Sequence, residues 1–381
     1  MKILVRVPNW LGDAVLALPA LRAVAKHFSR ADLWVASSQR ASELFASEPS
    51  VAGVLEIPEV MGLKEIWRTT RRWQALHFDL ALLFTNSFGS ALLAVLSGIP
   101  ERWGYATDGR SFLLTKRVMA RSEGKAESGS KEQKERASFS EAYQMPWEKP
   151  VEHQTLYYFR LLQRLGIETP ENPEISLFLT EAEKEAARRQ LETAGIDLES
   201  LGAEARPLIL LNPGASYGPA KRWPASKFGQ VAAILEKQKG ALAAIIGSIE
   251  EIPLAQEVVA AALEHGIRHQ PVMLSGQTTL RELTAIISLA DLLITNDTGP
   301  MHLANALRVP VVAIFGPTDP QRTRPWHQPA LVLHKRVVCW PCWYRQCPYD
   351  HRCLRSIGVE EVTQASLALL AEHKKGRMAP E

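Results

Sequence analysis

The chain has 381 residues, 46% of them hydrophobic and 22% charged, enough for two domains with separate cores and ordinary for a soluble globular protein. Its formal net charge of +3 is too small to argue for nucleic acid, but the basic excess is concentrated in residues 1–170, the half expected to meet an anionic partner or membrane surface. No run approaches the ~18 apolar residues of a bilayer span, and Arg6, Pro8 and Asp13 interrupt the N-terminal apolar run that a signal peptide needs, so a cytoplasmic protein is expected.

Residues 2–8 read as a strand running into Asn9-Trp10-Leu11-Gly12-Asp13, followed by a helix to about Phe28. Asp13 therefore falls at the start of the first helix, on the edge where open α/β sheets bind ligands. It can be a helix cap or a general base. The G-x-G-x-x-G dinucleotide pattern is absent, which argues against a dehydrogenase. Asp32–Ala36 and Val54–Ile57 are short strands. Between Leu63 and Leu76, the apolar Leu63, Ile66, Trp67, Trp73 and Leu76 share one helical face, with Lys64, Arg68, Arg71 and Arg72 on the other. Such a helix is either a domain helix with a solvated basic face or a membrane-surface helix. A buried strand over Asp79–Phe84 and a helix over Ala91–Ser97 follow. Arg102, Arg110, Lys116 and Arg117 then form the densest basic neighbourhood. Residues 121–149, rich in Ser, Gly, Lys and Glu, read as a polar insertion. A helix from His153 to Leu165 ends at Gly166, and Pro170 and Pro173 put a domain boundary near residue 172.

The second half repeats the strand–helix alternation. Ile175–Leu179 reads as a strand, Glu181–Ala194 as a charged helix and Leu208–Leu211 as a buried strand. The loop Asn212–Pro224 that follows contains Ser216, Lys221 and Arg222 before a helix start, which is how a protein cradles phosphate oxygens. Leu242–Ile246 leads to Gly247-Ser248-Ile249-Glu250-Glu251, placing a carboxylate where ribose hydroxyls are bound. Leu292–Pro320 reads as strand, polar turn, helix and strand. Asp297 or Thr298 can cap that helix, Pro300 suits its first turn, Gly299 lets a ligand approach the backbone, and His302 lies one turn inside. Four strand ends of this half carry Gly, Ser, Thr or charged residues, which points to a nucleotide site.

All four cysteines, Cys339, Cys342, Cys347 and Cys353, fall in one aromatic-rich segment. In a cytosolic chain stable disulfides are not expected. Four clustered thiols could hold zinc or an iron–sulfur cluster, but zinc ribbons separate their pairs more widely, and the segment reads as a thiol-rich loop. A last amphipathic helix covers Val359–His373.

The ordered set Asn9-Trp10-Leu11-Gly12-Asp13-Ala14-Val15, Asn212-Pro213-Gly214, Lys221-Arg222-Trp223-Pro224, Asn296-Asp297-Thr298-Gly299-Pro300-Met301-His302 and Phe315-Gly316-Pro317-Thr318 resembles the ADP-heptose:lipopolysaccharide heptosyltransferases over nearly the whole chain. The cysteine-rich segment looks like that of the heptosyltransferase II branch. The resemblance implies an α/β GT-B glycosyltransferase, two Rossmann-like parallel-sheet domains facing across a cleft: an acceptor domain (1–172), an ADP-heptose domain (173–357) and a C-terminal helix and tail (358–381). It implies inverting transfer of L-glycero-D-manno-heptose from ADP-heptose to heptosyl-Kdo2-lipid A in the lipopolysaccharide inner core. Asp13 would be the base. Ser216, Lys221, Glu251, Asp297, Thr298, Gly299 and His302 would contact the donor, and Arg102, Arg110, Lys116 and Arg117 would meet the anionic acceptor. No metal, cofactor or nucleic acid is implied, and the protein would sit peripherally on the cytoplasmic face of the inner membrane. The first heptose addition, another acceptor, a nucleotide-sugar epimerase and a non-catalytic membrane scaffold are the alternatives.

Overall fold

The computed structural model describes residues 1–119, 152–203 and 206–378; the insertion expected over 121–149 lies outside them. The first half comprises β1 (Lys2–Arg6), α1 (Leu11–Leu16), α2 (Leu18–His27), β2 (Asp32–Ser38), α3 (Gln39–Ala46), β3 (Gly53–Ile57) and α4 (Leu63–Leu76). It continues with β4 (Leu80–Leu83), α5 (Phe88–Leu96), β5 (Glu101–Tyr105), β6 (Lys116–Val118) and α6 (Gln154–Arg164). The second half begins with α7 (Glu181–Thr193), α8 (Leu198–Ala203), β7 (Leu208–Asn212), α9 (Ala225–Lys239), β8 (Leu242–Ile245), α10 (Ile252–Glu264), β9 (Val272–Met273) and α11 (Leu280–Ser288). Then follow β10 (Leu292–Asn296), α12 (Gly299–Ala306), β11 (Val311–Phe315), α13 (Pro320–Thr323), β12 (Ala330–His334), α14 (Arg352–Arg355) and α15 (Val359–Met378).

The strands form two six-stranded sheets, ordered β3-β2-β1-β4-β5-β6 and β12-β11-β10-β7-β8-β9. Every pairing is parallel, from Lys2↔Asp32 in the first sheet to Phe315↔His334 in the second. The central strands β4, β7, β10 and β11 are buried at every residue, as strands covered by helices on both faces must be. Counted within its own half, each sheet has the doubly wound order, with a switch point between β1 and β4 in one and between β7 and β10 in the other. This is the two-domain GT-B arrangement. The halves meet where α1 packs on α12 and α3 on α11. The Arg281 backbone N–H at the start of α11 donates to Glu43 of α3 (3.1 Å), and one buried apolar cluster contains both Leu18 and Leu303.

Three local expectations change. The first helix is broken at Ala17, with Pro19 in the first turn of α2. Ile175–Leu179 is not a strand, because its backbone bonds go to side chains. His327 meets Ile175, Arg22 donates to the Ser176 carbonyl (2.9 Å), and Arg281 donates to the Phe178 carbonyl (2.9 Å). The apolar set of α4 does not act as one face. Trp73 is buried, whereas Leu63 and Trp67 are 88% and 61% exposed, with Arg71 over the Trp67 ring.

Candidate active site

Each sheet opens at its switch point, and the two openings face one another. After β1 the chain turns through Asn9 and Trp10 into α1. Trp10 is the N-cap residue and makes no side-chain cap bond, so Asp13, in the first turn, is not the cap. After β10 it turns through Asp297 and Thr298 into α12; Thr298 is the N-cap, again without a side-chain bond, and Pro300 occupies the first turn. The two helix starts touch. A Cβ on Gly12 would lie 2.7 Å from the His302 ring, and one on Gly299 would lie 2.7 Å from Leu11. Only glycine permits that approach on either side.

This contact brings Asp13 of the first half within electrostatic reach of Lys221 and Asp297 of the second. Burial pushes the Asp13 carboxyl up to about 6, with Lys221 pulling it back and Asp297 adding to the rise. The dipole at the start of α1 favours the charged form, but desolvation outweighs it. Above pH 6 it is still ionised and able to accept a proton. Burial lowers His302 to about 4, against the pull of Asp297, so it is neutral at pH 7. The buried Tyr158 hydroxyl is raised well above its usual range, by burial first and by Asp13 second.

The second wall is held by a closed polar network. Asp297 accepts from Lys221 Nζ and from Thr318 Oγ1 (2.6 Å), and the Lys221–Asp297 pair is buried, with side-chain exposures of 12% and 4%. Asn296 accepts from the Trp223 N–H (2.9 Å) and donates to the Pro213 carbonyl (2.8 Å). Asn212 donates to Thr295 Oγ1 (2.9 Å). Lys221 is thereby held in a short 3-10 turn, Pro219–Lys221, beside the start of α12. Glu251 accepts from the Ser248 N–H (3.0 Å), while its other oxygen lies 3.9 Å from Arg222 and its carboxylate packs against Gly214. Ser216 is exposed on the same loop. The loop cradle, the carboxylate after β8 and the start of α12 are therefore adjacent, as the sequence suggested. Asn212, Asn296 and Thr318 were named as motif residues but given no role. Their signal was a polar residue ending an otherwise apolar strand or following it within a few residues.

The first wall is different. Between the ends of β1, β2 and β3 and helices α4 and α5 lies a cavity of about 510 Å³, with Ile57, Met61, Ile66, Leu92 and Leu93 among its apolar lining. Arg6, Asn9, Ser38 and Arg40 also line it. Arg6 is 5% exposed, and its guanidinium donates to the Val7 and Ala36 carbonyls and to Asn9 Oδ1. No ion pair to it is found among the described residues, and burial lowers it to about 10. Arg40 pairs with the exposed Glu59. Sequence reasoning missed Arg6, although a cation inside the apolar run Ile3–Val7 was the visible sign.

The basic neighbourhood expected to meet the acceptor does not exist as one surface. Arg110 is fully buried, bonded to the Tyr105 and Ser87 carbonyls and to Ser90 Oγ. Arg102 donates to the Ile99, Pro100 and Leu113 carbonyls. Lys116 donates to the Leu165 carbonyl (2.6 Å) and lies over Trp103, while Arg117 is exposed. Arg102 and Lys116 stand at the amino ends of β5 and β6, away from the carboxyl edge that carries Asp13. The cysteines are free thiols, with Cys353 buried and pushed up to about 11 by that burial. Among the described residues, no group of three or more His, Cys, Asp or Glu is arranged to hold a metal ion.

Two doubly wound sheets that meet edge to edge, with Asp13 at one switch point and the Lys221–Asp297 pair at the other, have the architecture of a GT-B glycosyltransferase. The model of glycosyltransferase family 9 (heptosyltransferase) matches residues 124–352, and the chain belongs to that family. It is 27% identical over 374 residues to lipooligosaccharide heptosyltransferase 2 of Campylobacter jejuni, covering 96% of this chain and 98% of that one. It is 29% identical over 340 residues to lipopolysaccharide heptosyltransferase 2 of Escherichia coli K12, covering 87% and 88%. The solved E. coli ADP-heptose lps heptosyltransferase II superposes with a TM-score of 0.75 at 25% identity over 98% of this chain and 100% of that one. A family 9 glycosyl transferase of Veillonella parvula superposes at 0.76 with 21% identity, covering 97% of each chain, a likeness of fold.

Proposed function

We propose that the chain transfers L-glycero-D-manno-heptose from ADP-heptose to the heptose of heptosyl-Kdo2-lipid A, with inversion, during assembly of the lipopolysaccharide inner core. The observation that carries this reading is that the start of α1 meets the start of α12 at Gly12 and His302, with Asp13 of one half within electrostatic reach of Lys221 and Asp297 of the other. The donor's diphosphate lies against the Lys221 loop and the start of α12, whose N–H groups and dipole favour an anion. Glu251 meets the ribose. The acceptor enters from the first wall, its sugar in the Arg6 cavity and its hydroxyl at Asp13. That hydroxyl gives its proton to the Asp13 carboxylate as its oxygen attacks the anomeric carbon, and the bond to the diphosphate breaks with its electron pair leaving on ADP. Lys221 and the α12 N-terminus stabilise the departing charge.

Exposed Val60, Leu63 and Trp67, flanked by Lys64, Arg68 and Arg71, support a peripheral seat on an anionic membrane, where a lipid-anchored acceptor resides. No helix among the described residues is long and apolar enough to cross a membrane. The test is incubation with ADP-heptose and truncated lipid A cores carrying no heptose or one heptose, with products read by mass. One added heptose on the already heptosylated core is the expected result. Transfer only to the unheptosylated core would move the activity to the first addition, and donor turnover without acceptor would overturn transfer altogether.

A further inference from the structure

The cysteine-rich segment has no assigned work, yet it is built into the donor loop. The Tyr217 hydroxyl donates to the Trp343 carbonyl, and the Ala220 N–H donates to the Arg345 carbonyl (3.1 Å). Gly218 has a φ of +149°, and a Cβ there would lie 2.4 Å from the Arg345 oxygen, so the loop and the segment are in direct backbone contact. The Cys342 and Trp343 N–H groups bond to the Pro317 carbonyl (3.1 and 3.2 Å), which fixes the segment to the loop after β11 as well. Residue 345 is therefore held one hydrogen bond away from the turn that carries Lys221.

Its guanidinium lies 5.4 Å from the centre of the Tyr217 ring and 5.8 Å from that of Trp10, the residue that opens α1 in the other half. Lys221 Nζ lies 4.8 Å from the same Tyr217 ring. Two cations thus share one aromatic ring at the edge of the cleft. They are not equivalent. Lys221 is matched by the buried Asp297, whereas no ion pair to Arg345 is found among the described residues. His302 adds no charge at neutral pH. A diphosphate entering the Lys221 loop meets a cation already balanced by a carboxylate, and a second, unbalanced one parked on two rings.

We propose that Arg345 is a catalytic residue that contacts the diphosphate of the sugar-nucleotide donor beside Lys221 and carries part of the charge of the departing nucleoside diphosphate. The inference rests on the donor reading given above. A guanidinium suits the task because its planar fork can bond two phosphate oxygens while its face stays on an aromatic ring. Trp10 and Tyr217 hold the guanidinium at the cleft edge before the donor arrives, which lowers the ordering cost of the contact. The segment's aromatic residues and its close fit to Gly218 then have a common purpose, delivering one arginine to the cleft.

The test compares Arg345→Ala, Arg345→Lys and Lys221→Ala by calorimetric titration with ADP and with adenosine, alongside a thermal melt. Arg345→Ala is expected to weaken ADP by ~10- to 100-fold, the range of a hydrogen bond to a charged group, and to leave adenosine unchanged. Arg345→Lys keeps a cation and is expected to recover part of the loss. If Lys221→Ala weakens ADP while both Arg345 variants bind it as wild type does, the inference is overturned and the donor reading stands. If Lys221→Ala also leaves ADP unchanged, the donor reading itself fails. Equal loss of ADP and adenosine in a folded Arg345→Ala protein would make Arg345 a structural residue of the loop and would overturn the proposal.

Discussion

The two walls of the cleft are built from the same strand order and finished in opposite ways. At the end of the second sheet, Asn212, Asn296, Asp297, Thr318 and Lys221 close on one another, so that wall is rigid and its charges are paired. At the end of the first sheet, the side chains part around a cavity of about 510 Å³ with a buried guanidinium at its margin. The difference follows from what each wall has to hold. A pre-satisfied network costs no reorganisation when a fixed ligand arrives. An open, apolar-lined cavity with an uncompensated cation accommodates a larger and more variable one.

Asp13 belongs to the open wall but takes its electrostatics from the closed one, and replacing it should have the largest effect. Asp13→Asn is expected to lower kcat by ~10²- to 10⁴-fold while ADP binding persists, because it removes the base and keeps the shape. The same variant should be more stable at neutral pH. The Asp13 carboxyl is raised from 3.8 to about 6 in the folded protein, so folding favours its protonated form. The stability it contributes is complete below pH ~4 and is lost as pH rises through ~6. Stability of Asp13→Asn in denaturant unfolding should therefore exceed that of wild type by about 3 kcal/mol at pH 7.5, and the gap should largely close at pH ~4. A gap that persists at low pH would mean that desolvation of the carboxylate is not its source.

Lys221→Ala tests the closed wall. It leaves the Asp297 carboxylate buried with its cation gone, which should cost about 3–5 kcal/mol of stability by denaturant unfolding, in addition to any loss of ADP affinity. An unfolding midpoint equal to wild type would mean that the wall is not held by this pair. On the open wall, Arg6→Met should raise the acceptor KM by roughly tenfold and leave the donor dissociation constant unchanged, since a charged hydrogen bond to the acceptor is lost and the donor wall is untouched. A larger change in donor than in acceptor kinetics would erase the division between the walls. The smallest effect is expected from the joint variant Arg102→Gln, Lys116→Gln, Arg117→Gln. Its acceptor KM should stay within about twofold at physiological salt, because these cations stand off the cleft edge and are screened.

The sequence made the closed wall far more legible than the open one. Apolar runs ending in Asn296-Asp297-Thr298-Gly299 and Asn212-Pro213-Gly214 announce strand ends with polar turns, and parallel sheets place all such ends on one edge. Their loops lie close in the chain to the strands that position them. The open wall draws on β1, β2, β3, α4 and α5, whose contributions are single residues such as Arg6, Ser38 and Ile66 with no local pattern. Charge density in the chain misled for the same reason. Arg110 and Arg102 look like a patch in sequence, but their backbone partners turn one inward and tie the other down. The strand β5 escaped notice because Glu101–Tyr105 lacks the continuous apolar run of the central strands, whereas β12 carries such a run over residues 330–333 but lies half-buried at the sheet edge and was passed over. The meeting of Gly12 with His302 could not be read at all, since it depends on how one half rests on the other.

The claim that Asp13 accepts the acceptor's proton is tested most directly by the pH dependence of kcat at saturating donor and acceptor, for wild type and Asp13→Asn together. Wild-type turnover should fall as pH drops through about 6, where burial has set the Asp13 carboxyl, and the residual activity of the Asn protein should lack that limb. An Asn protein that turns over within about threefold of wild type, or that keeps the same acid limb, would contradict the account, because a general base contributes ~10²-fold or more.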